Sequence, residues 1–201
     1  MITLDVPQLS NEWFAARAGI PTASCFDKII TSDGKPSKQA EKYLFQLAGE
    51  AITGKKADGY SNAIIERGVE MEPEARGLYE LINDVEVQEV GLCYPDEQKK
   101  YSYSPDGLIG EDGQIEIKCP IISTHVEYLL KDKLPAAYHR QVQGGLLITG
   151  REWCDFVSYH PGIKPFIFRV ERDKEFLKKL EAELDKFCYV LAATIQELKA
   201  K

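Results

Sequence analysis

The stretch QIEIKC, residues 114–119, alternates without a break between polar and apolar side chains. Period-two alternation marks a strand, because successive side chains leave opposite faces. It sets Ile115, Ile117 and Cys119 on one face, able to enter a core, and Glu116 and Lys118 on the other. The rise of a strand spaces those two roughly 6–7 Å apart at Cα. The EDG turn before it, residues 111–113, predicts a hairpin with KYSYSPDG, residues 100–107. Such a hairpin folds Asp106 toward Glu116. A chain built on this element needs a sheet with an acid and a base on one face.

The rest of the chain supplies helices to cover that sheet. LSNEWFAARAG reads as a helix with Ser10 or Asn11 as N-cap and Gly19 as stop. PTASCFDKII is a short helix opened by Thr22. Ser37 caps a longer one that Gly54 ends, with Tyr43, Leu44, Leu47, Ala48, Ala51 and Ile52 at helical spacing. Residues 61–83 are helical but interrupted or restarted at Pro73, with Leu78, Leu81 and Ile82 on the buried stripe. VEVQEVGLCY, residues 85–94, reads as a strand, as do WCDFVSYH and PFIFRVE. Residues 123–132 and 135–148 are predicted helices, and 172–200 form one long amphipathic helix. The expected class is α/β: a mixed central β-sheet flanked by helices.

Length and composition narrow the function. At 201 residues the chain fits a single domain spanning 1–201, with 44% hydrophobic and 28% charged residues. No apolar run approaches the ~20 residues of a membrane span. MITLDVPQLSNEW has no basic-then-apolar leader, so the expected compartment is the cytoplasm. Five scattered cysteines read as reduced, buried thiols, and the three histidines form no metal-ligand spacing. The net charge of −7 is uneven. Residues 61–100 carry ten acids and four bases, whereas 1–60 carry seven of each. Lys28, Lys35, Lys38, Lys42, Lys55 and Lys56 lie in that balanced half and could line a duplex path, or serve solubility.

Converging Asp106 and Glu116 repel unless a positive charge sits between them. A hard divalent cation such as Mg²⁺ meets that need with oxygen ligands, and a backbone carbonyl such as that of Ile117 can add one. Water on such a cation can attack a phosphodiester, and Lys118 can orient it or stabilise charge on phosphorus. The same residues also suit an ordinary turn and a solvated strand face, so D…ExK alone is a weak motif.

The motifs together are more specific. RAGIPTAS at 17–24, ERGVEMEPEA at 66–75, SPDG at 104–107, EIKCP at 116–120 and HRQVQGGLLITG at 139–150 follow one another along most of the chain. In order and spacing they resemble the PD-(D/E)xK nuclease superfamily, and within it the phage lambda exonuclease-like group of YqaJ-type viral recombinases. The resemblance implies a restriction-endonuclease-like core. It implies a processive 5′-to-3′ exonuclease on linear double-stranded DNA, releasing 5′-mononucleotides and leaving a 3′ overhang for strand annealing. It also implies two Mg²⁺ ions with Mn²⁺ as substitute, a preference for a 5′-phosphate, a ring-shaped homotrimer, a single-strand annealing protein as partner and no membrane. For a phage-derived chain the compartment is the bacterial host cytoplasm. Endonucleases and RecB-type nucleases share the core and form the alternative.

By position, the resemblance makes Asp106 and Glu116, with the Ile117 carbonyl, the metal ligands and Lys118 the catalytic lysine. Glu72 matches an upstream helix acid, although it lies in a charge run with Glu66, Glu70, Glu74 and Glu80. Gln141 matches a glutamine that holds a phosphate or the lysine, with Gln143 as its rival. Arg17 and Ser24 match a pair that grips the terminal 5′-phosphate, a task suited to an Arg fork and a hydroxyl near a helix start. Ser104 lies near the same chemistry or finishes a turn. Ile65, or Ile64 beside it, matches a wedge between the strands or else helix core. Tyr101 and Tyr103 could stack on bases, or simply alternate in a strand.

Overall fold

The computed structural model describes residues 1–56 and 63–201, without the side chains of 63–65. β1 (Ile2–Leu4) and β2 (Leu92–Tyr94) form an antiparallel ribbon. The main sheet has the order β3 (Gly107–Ile109), β4 (Gly113–Lys118), β5 (Trp153–Ser158) and β6 (Phe166–Glu171). β4 is antiparallel to β3 and parallel to β5, and β5 is antiparallel to β6. The parallel step requires a crossover, made by α4 (Ile122–Lys131) and α5 (His139–Thr149). The other helices are α1 (Asn11–Arg17), α2 (Ala40–Thr53), α3 (Ala63–Asn83) and α6 (Lys174–Ala200), with a 3₁₀ helix at Ala23–Lys28. The architecture is the expected mixed α/β sheet flanked by helices.

β4 is buried on both faces. Ile115, Ile117 and Cys119 pack with Ala75 and Tyr79 of α3 and with Val87, Val157 and Tyr159. On the other face, Gln114 accepts from Thr149 Oγ1 at 2.8 Å and Glu116 accepts from Gln141. Gly145 lies between those two contacts, its Cα hydrogens toward Tyr103 and Gln114. Residues 141, 145 and 149 recur every four along α5. Four helical residues advance about 6 Å, close to the roughly 6.6 Å of two strand residues, so α5 and β4 stay in step in opposite directions. The glycine pair makes the close approach possible. A Cβ on Gly144 would stand 2.5 Å from Phe26 Cδ2, and one on Gly145 would stand 2.7 Å from Tyr103 Cε1.

The turn of the β3–β4 hairpin rests on a buried guanidinium. Arg151 Nη1 donates to the carbonyls of Ile109 (3.1 Å), Gly110 (2.8 Å) and Gly113 (2.7 Å). Arg172 Nη1 in turn donates to the Arg151 carbonyl at 3.0 Å.

Several elements differ from the sequence reading. The strand expected over 85–94 shortens to Leu92–Tyr94, with one isolated bridge from Gln88 to Leu108. The strand expected over 100–107 gives way to Gly107–Ile109, while Ser102 and Tyr103 form single bridges to Thr22 and Cys93. Pro105 carries no N–H to extend a ladder through this stretch. α3 runs through Pro73 without interruption. Pro73 faces an open cleft with Val69, so the bond it cannot make lies at the solvent side. Leu81 and Ile82 are exposed; Ala75 and Tyr79 carry the buried stripe instead. α2 begins at Ala40, and Ser37 Oγ accepts from Gln39 N at 3.3 Å ahead of it. α5 begins at His139 rather than 135. The cysteines are free thiols, but Cys25 and Cys188 are only half-buried. Among the described residues no helix is long and apolar enough to cross a membrane.

Gly145→Ala drives a methyl group against the fully buried Tyr103 ring and the Gln114 amide. Overpacking of this kind costs about 1–3 kcal/mol. Urea unfolding of Gly145→Ala should show a lower midpoint with an unchanged slope; an unchanged midpoint refutes the close-packing account.

Candidate active site

Glu116 is a carboxylate with 1% exposure. Both of its oxygens are engaged. Oε1 accepts from Lys118 Nζ and from Gln141 Nε2, each at 2.5 Å, and Oε2 accepts from Tyr103 OH at 2.9 Å. Burial, followed by Glu116, raises the Tyr103 hydroxyl well above its ordinary range, so it stays a donor. Lys118 keeps 27% of its side chain exposed and lies 5.6 Å from the Tyr138 ring centroid. Burial alone would lower the Lys118 ammonium, but Glu116 and Asp106 outweigh it and hold the group above its usual range.

Asp106 sits just before β3, beyond the last registered pair Gly107–Ile115. Its Oδ2 accepts from Ile117 N at 2.5 Å. Burial and then Glu116 push the Asp106 carboxyl well above its ordinary value, against the pull of Lys118. The Lys118 carbonyl accepts from Tyr159 N on the β5 side. Successive peptide groups of a strand point to opposite sides, so the Ile117 carbonyl points with its own N–H toward Asp106.

Glu72 approaches from α3. Its Oε1 accepts from Arg76 Nη2 at 2.7 Å, one helical turn on. Arg76 also donates from Nε to the Asp106 carbonyl at 3.1 Å and pairs through Nη1 with Glu89 at 2.8 Å. Burial raises the Glu72 carboxyl, with Arg76 and Lys118 opposing and Glu116 adding. Glu72, Pro73, Arg76, Glu89, Pro105 and Asp106 line one side of a cleft of about 480 Å³.

A second group adjoins through Ser104, two residues before Asp106. Ser104 Oγ accepts from Trp13 Nε1 at 2.9 Å and from Arg17 Nη1 at 3.4 Å. Arg17 is buried, with its Cζ 3.9 Å from the Trp13 ring centroid. Ser24 is exposed and its hydroxyl shares a hydrogen bond with Thr22 at 3.1 Å. Arg17 is thus joined to the Asp106 segment by hydrogen bonds, while Ser24 bonds to Thr22 and not to Arg17 or Ser104 among the described residues.

The structure therefore gathers Asp106, Glu116, Lys118, Gln141 and the Ile117 backbone, with Glu72 at the border. Gln141 faces the site. Gln143 faces away, donating to the Glu171 carbonyl at 2.8 Å and accepting from Asp173 N at 2.9 Å. Tyr101 and Tyr103 are core residues, closed to bases. The side chains of Ile64 and Ile65 lie outside the described residues. The sequence reading missed Arg76, Trp13 and the donor role of Tyr103. Arg76 carried a usable signal, since it lies four residues after Glu72 on one helix.

The oxygen-rich set suits a hard divalent cation. Asp106, held unfavourably by burial and Glu116, is the sign of unbalanced negative charge that a cation would relieve. Among the described residues no group of three or more His, Cys, Asp and Glu side chains gathers as a metal cluster.

The YqaJ-like viral recombinase domain matches residues 12–152. The chain belongs to this family. The restriction-endonuclease-like core expected for a YqaJ-like chain is borne out by solved structures. An alkaline exonuclease, LHK-Exo from Laribacter hongkongensis, is 37% identical with a TM-score of 0.86, covering 95% of this chain and 97% of that one. LHK-Exo in complex with dAMP gives 38% identity and a TM-score of 0.85 over the same shares. A phage-related exonuclease from Haemophilus somnus shares the fold at 18% identity, with a TM-score of 0.68 over 89% of this chain and 96% of that one. No protein with a curated description matches.

The raised Asp106 carboxyl sets a pH dependence for this YqaJ-like chain. A group whose folded pKa exceeds its unfolded value contributes stability at low pH that is lost as pH rises through the folded value. Without divalent metal, Asp106→Asn should therefore melt above wild type at pH 8, by about 2–4 °C per kcal/mol relieved. The gap should close toward pH 4, and Mg²⁺ should raise the melting temperature of wild type only. A lower melting temperature for Asp106→Asn at pH 8 would contradict the charge balance described.

Proposed function

We propose that the chain is a DNA exonuclease that works 5′ to 3′ on linear double-stranded DNA, releasing mononucleotides and leaving a 3′ overhang for recombination by strand annealing. The observation that carries this reading is the convergence of Asp106, Glu116 and Lys118 on one patch, with Gln141 bound to Glu116, in a YqaJ-like chain. The likeness to an alkaline exonuclease along nearly the whole chain supports the exonuclease class.

Asp106, Glu116 and the Ile117 carbonyl would hold Mg²⁺, one ion or two, with Mn²⁺ as substitute. When bound, the cation supplies a polarised phosphate and an acidified water. The chain's own groups do the rest. Lys118, kept cationic by two carboxylates, stabilises charge growing on the phosphoryl oxygens. Gln141 and Tyr103 fix the Glu116 carboxylate, and Glu72 adds negative charge at the edge, steered by Arg76. Arg17 and Ser24 grip the terminal 5′-phosphate, and Ser104 ties that grip to Asp106. Each cut leaves a new 5′-phosphate for the same grip, which draws the strand forward one step and makes digestion processive. We assign the 201 residues to one nuclease domain, assembled as a homotrimeric ring around DNA in the cytoplasm. An annealing protein receives the 3′ strand, and Ile65 is the assigned wedge.

Incubation with Mg²⁺ should release mononucleotides from 5′-phosphorylated linear duplex and spare covalently closed circles. Digestion of both would favour an endonuclease on the same core. Lys118→Ala should lower the cleavage rate by about a hundredfold or more, with DNA binding retained. Full activity in that variant removes Lys118 from the chemistry.

A further inference from the structure

The group around Trp13 carries more positive charge than Arg17 alone. Lys56 Nζ lies 5.8 Å from the centroid of the same indole ring that Arg17 covers. Lys56 is half-buried and makes no hydrogen bond or ion pair among the described residues. Arg17 is 8% exposed, and its Nε is buried with no hydrogen-bond partner among the described residues. Burial lowers both groups below their ordinary values, and Arg17 adds to the effect on Lys56. Cys25 and Glu50 oppose that lowering, and Lys28, which sits 5.0 Å from the Tyr43 ring centroid, adds to it. The Glu50 carboxylate is engaged by Gly19 N at 3.2 Å and Gln46 Nε2 at 2.8 Å. Arg17 and Lys56 thus place two cationic groups around one indole ring.

Like charges crowded onto one ring are unfavourable unless an anion joins them. The unpartnered Arg17 Nε is a donor waiting for an acceptor. A terminal phosphomonoester carries about −1.5 to −2 near neutral pH, enough to engage both cations. An internal diester carries a single charge and a hydroxyl end none. Lys35, Lys38, Lys42 and Lys55 are exposed and lack this setting.

We infer that Lys56 is a second cationic ligand of the terminal phosphate, set beside Arg17 on the Trp13 indole, and that it makes the site selective for a phosphomonoester end. This rests on the reading of Arg17 as a 5′-phosphate residue.

The test compares wild type, Lys56→Gln and Lys56→Arg on otherwise identical duplexes with 5′-phosphoryl or 5′-hydroxyl ends. It reads kcat/KM with Mg²⁺ and, without metal, binding by fluorescence anisotropy. Losing one charge-assisted bond should lower the phosphoryl-to-hydroxyl ratio of Lys56→Gln about tenfold to a hundredfold in kcat/KM. The binding ratio should fall in the same direction, and Lys56→Arg should recover most of both. A selective wild type with equally selective Lys56→Gln overturns the role of Lys56 alone. An equal loss on both ends also overturns it, by making Lys56 a general backbone contact. A wild type indifferent to the end group overturns the 5′-phosphate reading itself.

Discussion

A carboxylate removed from water needs hydrogen-bond donors around it. Glu116 is in that position, and the groups that answer it come from separate parts of the chain: Lys118 from its own strand, Gln141 from α5 and Tyr103 from the stretch before the hairpin. Each of these residues is held by its own packing. Tyr103 is locked in the core beneath α5, Gln141 follows from the four-residue step of that helix along β4, and Lys118 continues the alternation of the strand. The chemistry of the site and the packing of the sheet are one problem, solved by the same contacts.

How much of this was legible in the sequence follows from the range of each interaction. The alternation of QIEIKC is local, so the faces of β4 could be read directly. The cap at Ser10 and the stops at Gly19 and Gly54 are also local and appear where expected, whereas Thr22 opens its 3₁₀ turn without a side-chain capping bond. The strands at 85–94 and 100–107 misled because their β-prone residues serve as core and as isolated bridges. Tyr101 and Tyr103 owe their environment to Phe26, Gly145 and Glu116, which lie far off along the chain. Leu81 and Ile82 fit a helical stripe in sequence, but the face of α3 that packs on the sheet runs through Ala75 and Tyr79 and leaves them exposed.

The choice between Gln141 and Gln143 shows the same limit. Two glutamines two residues apart on a helix face different ways, and nothing local says which meets the strand. The glycines at 144 and 145 hold part of the answer. They mark where α5 comes closest to Phe26 and Tyr103, and residues four before and four after Gly145 then share its face. Arg76 is a related case: its spacing from Glu72 was visible, but its bond to the Asp106 carbonyl needed the hairpin to be folded.

The hairpin that sets Asp106 against Glu116 is pinned from below by Arg151, which comes after β4 and both crossover helices. The turn therefore gains its guanidinium only once the chain has crossed back from β4 toward β5, so the hairpin borrows its last support from the far end of the crossover.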